Sequence, residues 1–135
     1  MAEMVLVAED EEWNLGLIAG ILKRGGYNVI AATDGIKAVR EHARVNRVDL
    51  LITDVAMAPM TGYELADVLT TAQKDLRILY VTGDVGEEVL RYRKTPSKRF
   101  FLRKPFTSEA LLAKVNQALH RKANRVLTAG GVALA

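Results

Sequence analysis

The sequence contains no cysteine, which excludes disulfide bonds, thiolate metal sites and a cysteine nucleophile. Long hydrophobic runs are also missing, because the apolar stretch at residues 4–8 is far shorter than a membrane span or the apolar core of a signal peptide. Acidic residues follow that stretch at once. We therefore expect a cytoplasmic protein that makes no contact with a membrane.

Nucleic-acid binding is disfavoured by a second absence. The net charge is +3 and basic residues gather after residue 77, but they form no arginine-rich block and are not interleaved with aromatic residues. Such a distribution is typical of a solvated face rather than of a nucleic-acid interface. We expect no nucleic-acid partner.

Internal repeats and low-complexity linkers are absent as well, and 135 residues of 50% hydrophobic composition suffice for the core of one domain but not of two. We predict one domain at residues 1–123 and a C-terminal tail at residues 124–135, which becomes uncharged and rich in Gly and Ala after Arg125. One hypothesis is that apolar tail residues pack on this domain or on a neighbouring chain, namely Val126, Leu127, Val132 and Leu134. A tail without a packing role is the alternative.

Strand-like apolar runs alternate with helical periodicity five times. The predicted strands are residues 5–8, 27–31, 50–53, 77–81 and 99–102. Apolar residues at helical spacing predict a buried face in four of the intervening or following helices: Leu15, Ile18 and Leu22; Ile36, Val39 and Ala43; Leu65, Val68 and Leu69; and Leu112, Val115 and Leu119. A short fourth helix is expected within residues 85–93. The pattern predicts an α/β fold, a flavodoxin-like doubly wound parallel sheet of five strands in the order 2-1-3-4-5 with five helices.

Three single residues have simple structural interpretations. Asp34 is predicted to cap the second helix. His42 and His120 each stand alone on a predicted helix without a second ligand at useful spacing. We predict that both histidines lie on the surface.

Reactive side chains follow four of the predicted strands: Glu9 and Asp10, then Asp54, Thr82 and Lys104. The carboxyl ends of parallel strands meet at one rim, and strands one and three are neighbours in this order, so the three acids should crowd together. Carboxylates at that distance oppose folding unless a cation intervenes, and hard oxygen ligands suit Mg²⁺. The pattern predicts a magnesium site.

The same set suggests phosphoryl chemistry. The carboxylate of Asp54 can attack phosphorus, while Mg²⁺ and Lys104 neutralise charge on the transferring group. Thr82 can donate its hydroxyl to a phosphoryl oxygen. A new dianion at Asp54 would then draw Thr82 and its loop toward the site, which makes the arrangement a switch.

Five motifs in this order resemble the receiver domains of two-component response regulators, with the fold of the chemotaxis response regulator. They are VLVAEDE at residues 5–11, ITDVAM at 52–57, Gly62, VTG at 81–83 and FLRKPF at 101–106, and the resemblance covers about residues 4–122. It implies that Asp54 is the phosphoacceptor, that Glu9, Asp10, Asp54 and the backbone carbonyl of Ala56 bind Mg²⁺, and that Lys104 assists catalysis. It also implies a switch hydroxyl at Thr82, a moving ring at Phe101 and a cis peptide bond between Lys104 and Pro105. From the residues alone, Phe101 could equally be a fixed core ring.

Three departures from the family pattern stand out. The proline that usually follows Met57 is displaced by one position in Met57-Ala58-Pro59, so we expect a reshaped loop there. Glu9 is longer than the commoner Asp and could reach a metal directly or through water. Ala56 has no polar group to orient an attacking water, and Asp84, two residues after Thr82, is the candidate for that role.

The resemblance implies a histidine kinase or phosphotransfer protein as phosphoryl donor, with self-catalysed transfer and hydrolysis as the chain's own chemistry. About a dozen residues follow the last predicted helix, so we expect output through a downstream protein partner. The switching surface would comprise the fourth helix, the fifth strand and the fifth helix (α4-β5-α5). A homodimer stays open, because basic residues on or near this surface would meet an acidic partner or a second receiver. These residues are Arg91, Arg93, Lys94, Lys98 and Arg99.

Other functions remain as alternatives. A degenerate receiver could serve as a phosphorylation-independent interaction module, and the chain could be a receiver cut from a hybrid histidine kinase. A haloacid-dehalogenase-type phosphatase would need an acid where Ala56 stands. Flavodoxin-like FMN binding would need a phosphate loop in place of the acidic residues 9–12. We disfavour both enzyme-class and cofactor-class alternatives on those grounds.

Overall fold

The computed structural model describes residues 2–83 and 99–126, with side chains up to residue 120. Five parallel strands form one sheet in the order β2-β1-β3-β4-β5, as the sequence predicted: β1 Met4–Ala8, β2 Asn28–Ala32, β3 Leu50–Asp54, β4 Arg77–Thr82 and β5 Arg99–Arg103. Within the described residues the strands alternate with four helices: α1 Glu12–Arg24, α2 Gly35–Val45, α3 Gly62–Ala72 and a C-terminal helix, Ser108–Val126. The predicted helix within residues 85–93 lies outside the described residues. No described helix is long and apolar enough to cross a membrane.

The sheet is covered on both faces, which is why its central strands read as continuous apolar runs. Helix α1 and the C-terminal helix pack on one face, where Val5, Val7 and Ile52 meet Ile18 and Val115. Helices α2 and α3 pack on the other face against the alternate strand residues, among them Leu6, Leu51 and Tyr80. The carboxyl ends of the strands lie at one rim of the sheet, between the two helical layers.

Side chains cap the starts of three helices, and one of them is the Asp34 cap that the sequence predicted. The Asp34 side chain accepts the Lys37 N–H at 2.7 Å, and Thr107 Oγ1 accepts the Ala110 N–H at 3.0 Å before the C-terminal helix. Thr61 and Glu64 form a reciprocal capping box at the start of α3. These contacts fix the entry of three helices that follow strand ends at the open rim.

The predicted buried faces of the helices were partly wrong. In α2, Ile36 and Ala43 are exposed, and the buried positions are Gly35, Ala38 and His42. In α3, Leu65 and Leu69 are buried as predicted, but Val68 is exposed. The C-terminal helix buries Leu111, Val115 and Ala118, and the predicted Leu112 and Leu119 are half-buried against the same core.

The surface position predicted for His42 was wrong, whereas His120 is exposed as predicted. The ring Nε2 of His42 lies 2.9 Å from the side-chain oxygen of Gln73. The same Gln73 amide accepts the Val48 N–H at 3.1 Å and donates to the Val48 carbonyl at 2.7 Å. Because Gln73 Oε1 is an acceptor, the histidine Nε2 carries the hydrogen. A buried histidine is tolerated here since its polar atom has a partner.

Candidate functional site

The structure brings the residues predicted from the strand ends to a single rim of the sheet. Glu9 and Asp10 follow β1, Asp54 and Thr82 are the last residues of β3 and β4, and Lys104 follows β5. The carboxylates of Glu9, Asp10 and Asp54 each offer an oxygen within 4.8 Å of the others. Glu9 is buried, Asp54 is half-buried and Asp10 is exposed, so the cluster opens to solvent on one side.

Lys104 is shared between two of these acids. Its Nζ lies 3.2 Å from Glu9 Oε1 and 3.5 Å from Asp54 Oδ2. The Lys104 N–H donates to the Thr82 carbonyl at 2.8 Å, which extends the β4–β5 pairing by one residue and directs the lysine toward the rim. The lysine side chain thus reaches from the end of β5 to the acids at the ends of β1 and β3.

Glu9 is held at both carboxylate oxygens. While Oε1 faces Lys104, Oε2 accepts the Glu11 N–H at 3.0 Å. Burial raises the pKa of Glu9 above its usual value, and the charge of Asp54 raises it further, while the Glu11 hydrogen bond and Lys104 oppose that rise. The surroundings of Glu9 therefore disfavour its ionised form, even with the Lys104 ammonium 3.2 Å away.

The backbone of Asp54 is packed against the start of α3. The Gly62 N–H donates to the Val55 carbonyl at 2.9 Å, and a Cβ built on Gly62 would collide with the Asp54 carbonyl oxygen. That oxygen also accepts the Thr53 hydroxyl at 2.9 Å. A glycine at residue 62 is thus a condition for placing Asp54 at the rim.

The loop after Asp54 contains the displaced proline, Pro59, and the reshaping expected of this loop stays a prediction. The Ala58–Pro59 peptide is cis, as is Lys104–Pro105, where the resemblance implied it. Met57 is buried in this loop, and the Ala56 N–H lies 3.4 Å from Asp54 Oδ1. The metal-ligand role of the Ala56 carbonyl stays a prediction.

The switch candidates, Thr82 and Phe101, lie on adjacent strands. Thr82 is buried at the end of β4, and the half-buried Phe101 packs on Tyr80 with ring centroids 5.0 Å apart. Sequence reasoning gave no role to Tyr80, although its place two residues before Thr82 puts both side chains on one face of β4. Asp84 lies outside the described residues.

The basic surface predicted for a partner is described only at Arg99. Arg91, Arg93, Lys94 and Lys98 lie outside the described residues. Arg99 donates to the Tyr80 hydroxyl at 2.9 Å and to Asp67 Oδ1 at 3.1 Å, and its side chain is only 13% exposed. This residue is therefore engaged within the domain.

Three clustered carboxylates, of which Asp10 is exposed to solvent, have the chemistry of a site for a hard divalent cation. Carboxylate oxygens are the ligands that Mg²⁺ prefers, and a bound cation would offset the repulsion among the three carboxylates. The residues thus fit the metal that the sequence predicted.

The five-stranded parallel sheet and the rim that carries Glu9, Asp10, Asp54 and Lys104 agree with the receiver-domain resemblance found in the sequence. The family model of the response regulator receiver domain matches residues 5–116. The chain belongs to this family and is a receiver domain of the kind found in two-component response regulators.

Individual relatives agree with that assignment. The Vibrio cholerae chemotaxis protein CheY4 superposes with a TM-score of 0.81 at 29% identity over 88% of this chain and 100% of the other. The receiver domain of the hybrid histidine kinase CckA gives a TM-score of 0.71 at 26% identity, covering 86% of this chain and 98% of that domain. The Staphylococcus aureus response regulator SaeR is 24% identical over 87% of this chain and 50% of its own length. The chain spans about half the length of the curated relatives it matches.

Proposed function

We propose that this receiver takes a phosphoryl group from the phosphohistidine of a histidine kinase or phosphotransfer protein onto Asp54. An Asp54 carboxylate oxygen would form a bond to phosphorus as the phosphorus–nitrogen bond breaks, and the electron pair of that bond would leave with the imidazole. The observation that carries the proposal is the position of Lys104 Nζ, within 3.5 Å of Asp54 and 3.2 Å of Glu9, beside a three-carboxylate cluster.

The residues of the rim divide the tasks of this reaction among them. Glu9, Asp10 and Asp54, together with the Ala56 carbonyl, would hold Mg²⁺, which when bound supplies positive charge for the phosphoryl oxygens. Glu9 also holds the Lys104 ammonium toward Asp54, where it offsets the charge of the transferring group. Thr82 would donate its hydroxyl to the bound phosphoryl group, and Phe101 would follow the movement of Thr82.

The donor protein would approach over α1, because that side of the rim exposes apolar surface. Trp13 is 77% exposed and Leu17 is 47% exposed. A cleft of about 220 Å³ lies between α1 and the segment after β5, lined by Asn14, Leu17, Ile18, Lys104, Pro105 and Phe106. Since Lys104 belongs both to this cleft and to the acid site, a protein seated here would bring its phosphohistidine to Asp54.

The first experiment is phosphorylation by acetyl phosphate, followed by intact mass. Wild type should gain one phosphoryl group only when Mg²⁺ is present, and Asp54→Asn should gain none. Asp75→Asn is the matched control, since Asp75 precedes β4 at the opposite end of the sheet and should leave the adduct intact. No adduct on the wild type would favour the alternative, an interaction module that works without phosphorylation.

Docking over α1 can be tested separately from the chemistry. Leu17→Asp should slow transfer from a phosphotransfer protein that phosphorylates the wild type, while phosphorylation by acetyl phosphate stays unchanged. Ile36→Asp is the control, because Ile36 is exposed to a similar degree but lies on the opposite helical layer. Equal transfer to both variants would refute docking at this surface.

The parent of the domain, its location and its output partner belong to the proposal as well. The similarity to the receiver of a hybrid histidine kinase supports a kinase-attached arrangement, and the similarity to CheY4 supports a separate signalling domain. In either arrangement we propose a cytoplasmic domain that presents the surface around β5 to a downstream protein or to a second copy. The size of the native protein on a denaturing gel distinguishes a domain attached to a kinase from a separate domain.

A further inference from the structure

Tyr80 occupies the centre of an aromatic row beneath the switch residues. It is fully buried in β4, and its strand partner in β5 is Phe101. The Tyr80 ring lies 5.0 Å from the Phe101 ring at an interplanar angle of 32°, and 4.9 Å from the Tyr63 ring in an edge contact. Because Tyr80 precedes Thr82 by two residues, its ring borders the space beside the Thr82 side chain on the same face of the sheet.

Arg99 holds the hydroxyl end of the Tyr80 side chain. Its Nη1 donates to the Tyr80 hydroxyl at 2.9 Å, and its Nη2 donates to Asp67 Oδ1 of α3 at 3.1 Å. The guanidinium is largely covered, whereas the Asp67 side chain is mostly exposed. One planar group therefore joins β5, β4 and α3, and arginine suits such a contact because its donors have a fixed geometry.

We propose that the Asp67–Arg99–Tyr80 contact, hereafter the clamp, is a positioning device for Phe101 that stabilises the unphosphorylated arrangement of the switch. The inference rests on the proposed function, in which Thr82 and Phe101 move when Asp54 is phosphorylated. To follow Thr82, the Phe101 ring must move from its place beside Tyr80 to one beside Thr82, two residues farther along β4 and roughly 6.6 Å away. The stacking on Tyr80 would be lost in that movement.

The direction of the effect follows from linkage. An interaction present in one state and absent in the other biases the equilibrium by its own free energy. The clamp holds the Tyr80 ring against Phe101, so it favours the state without a phosphoryl group. Releasing the clamp should favour the phosphorylated state, and a phosphoryl analogue should then bind more tightly.

The test is a titration of beryllofluoride in the presence of Mg²⁺, read from the fluorescence of Trp13, the single tryptophan. Tyr80→Phe removes the hydroxyl and keeps the ring, and Arg99→Gln removes the guanidinium. Both variants should half-saturate at a concentration about fivefold lower than the wild type, within the usual range of coupling between sites. Arg47→Gln is the control, because it breaks another Arg–Asp pair, with Asp75, away from the switch and should not shift the curve.

A purely structural role predicts a different result. Loss of a buried contact lowers stability, so a structural role would leave analogue affinity unchanged or weaker in folded variants, and either outcome overturns the proposal. Should wild type bind no beryllofluoride, the proposed function fails, and the clamp is then tested by ¹⁹F NMR. With fluorophenylalanine at the three phenylalanines, the Phe101 line should shift or broaden in Tyr80→Phe. A Phe101 line identical to that of the wild type would overturn the clamp.

Discussion

Replacing Gly62 by alanine should destabilise the protein and displace Asp54. A Cβ at residue 62 would collide with the Asp54 carbonyl oxygen and lie 3.0 Å from the Val55 Cα, and both obstacles are backbone rather than mobile side-chain ends. Inserting one carbon into a packed region costs about 1–3 kcal/mol, because the neighbouring backbone must move. We expect Gly62→Ala to lower the free energy of unfolding by that amount.

Gly16→Ala is the matched control for this prediction. Gly16 also lies in a helix, α1, but a Cβ there meets nothing within 4 Å. Alanine is the better helix former by about 1 kcal/mol, so this variant should be more stable than the wild type. Urea unfolding followed by circular dichroism measures both changes. If Gly62→Ala proves as stable as Gly16→Ala, the packing argument for Gly62 is refuted.

A functional measurement separates the two glycines further. The start of α3 sets the position of the Asp54 backbone, so Gly62→Ala should weaken Mg²⁺ binding as well as stability. Gly16→Ala should leave Mg²⁺ binding unchanged, because the added Cβ would meet nothing within 4 Å. Normal Mg²⁺ affinity in a destabilised Gly62→Ala protein would limit the role of this glycine to folding.

Three further predictions concern charge and buried polar groups. Burial raises the pKa of Glu9, so the stabilising contribution of Glu9 is fully present below the ordinary pKa of 4.5 and is lost as the pH rises through the folded-state pKa. Relative to the wild type, Glu9→Gln should therefore become more stable as the pH rises from acid to neutral. A difference in the free energy of unfolding that stays constant with pH in urea titrations would contradict this. Mg²⁺ at a hundred times its dissociation constant should raise the free energy of unfolding of wild type by about 2.7 kcal/mol, and that of Asp10→Asn by much less at the same concentration, as thermal melts would show. Gln73→Leu should cost about 3 kcal/mol in urea unfolding, because it leaves the buried polar groups of His42 and Val48 without their partner; a loss below 1 kcal/mol would contradict that reasoning.

The rim could be predicted from the sequence because its positions follow from strand ends. A parallel sheet places the carboxyl ends of its strands together, so Glu9, Asp54 and Lys104 needed only the strand boundaries and the strand order to be placed near one another. Errors of one residue at a helix face did not affect that placement. The order itself came from the alternation of strands and helices and from the family motifs.

The features missed by the sequence depend on partners distant along the chain. His42 is buried because Gln73, 31 residues later, supplies an acceptor. Arg99 is covered because the Tyr80 hydroxyl, 19 residues earlier, accepts its hydrogen bond. Periodicity records only whether a residue is apolar, so a polar residue buried against such a partner is assigned to the surface.

The charges at the rim connect its resting geometry with the chemistry proposed for it. If all groups are ionised, the carboxylates of Glu9, Asp10 and Asp54 and the ammonium of Lys104 sum to −3 + 1 = −2. A divalent cation would bring that sum to zero. Burial and, to a smaller extent, the charge of Asp54 raise the pKa of Glu9, so the site disfavours its full negative charge.

Phosphorylation would add negative charge to the rim at Asp54. Asp54 carries about −1 as a carboxylate, whereas the acyl phosphate would carry up to about −2, by analogy with other phosphorylated side chains. Lys104, which Asp54 shares with Glu9 in the resting state, is the protein cation already in place to answer the added charge. Because Glu9 also accepts the Glu11 N–H, it keeps a hydrogen-bond partner if Lys104 moves toward the phosphoryl group. In the proposed reaction, the second partner of Glu9 would let the lysine move toward the added charge while the buried acid stays in position.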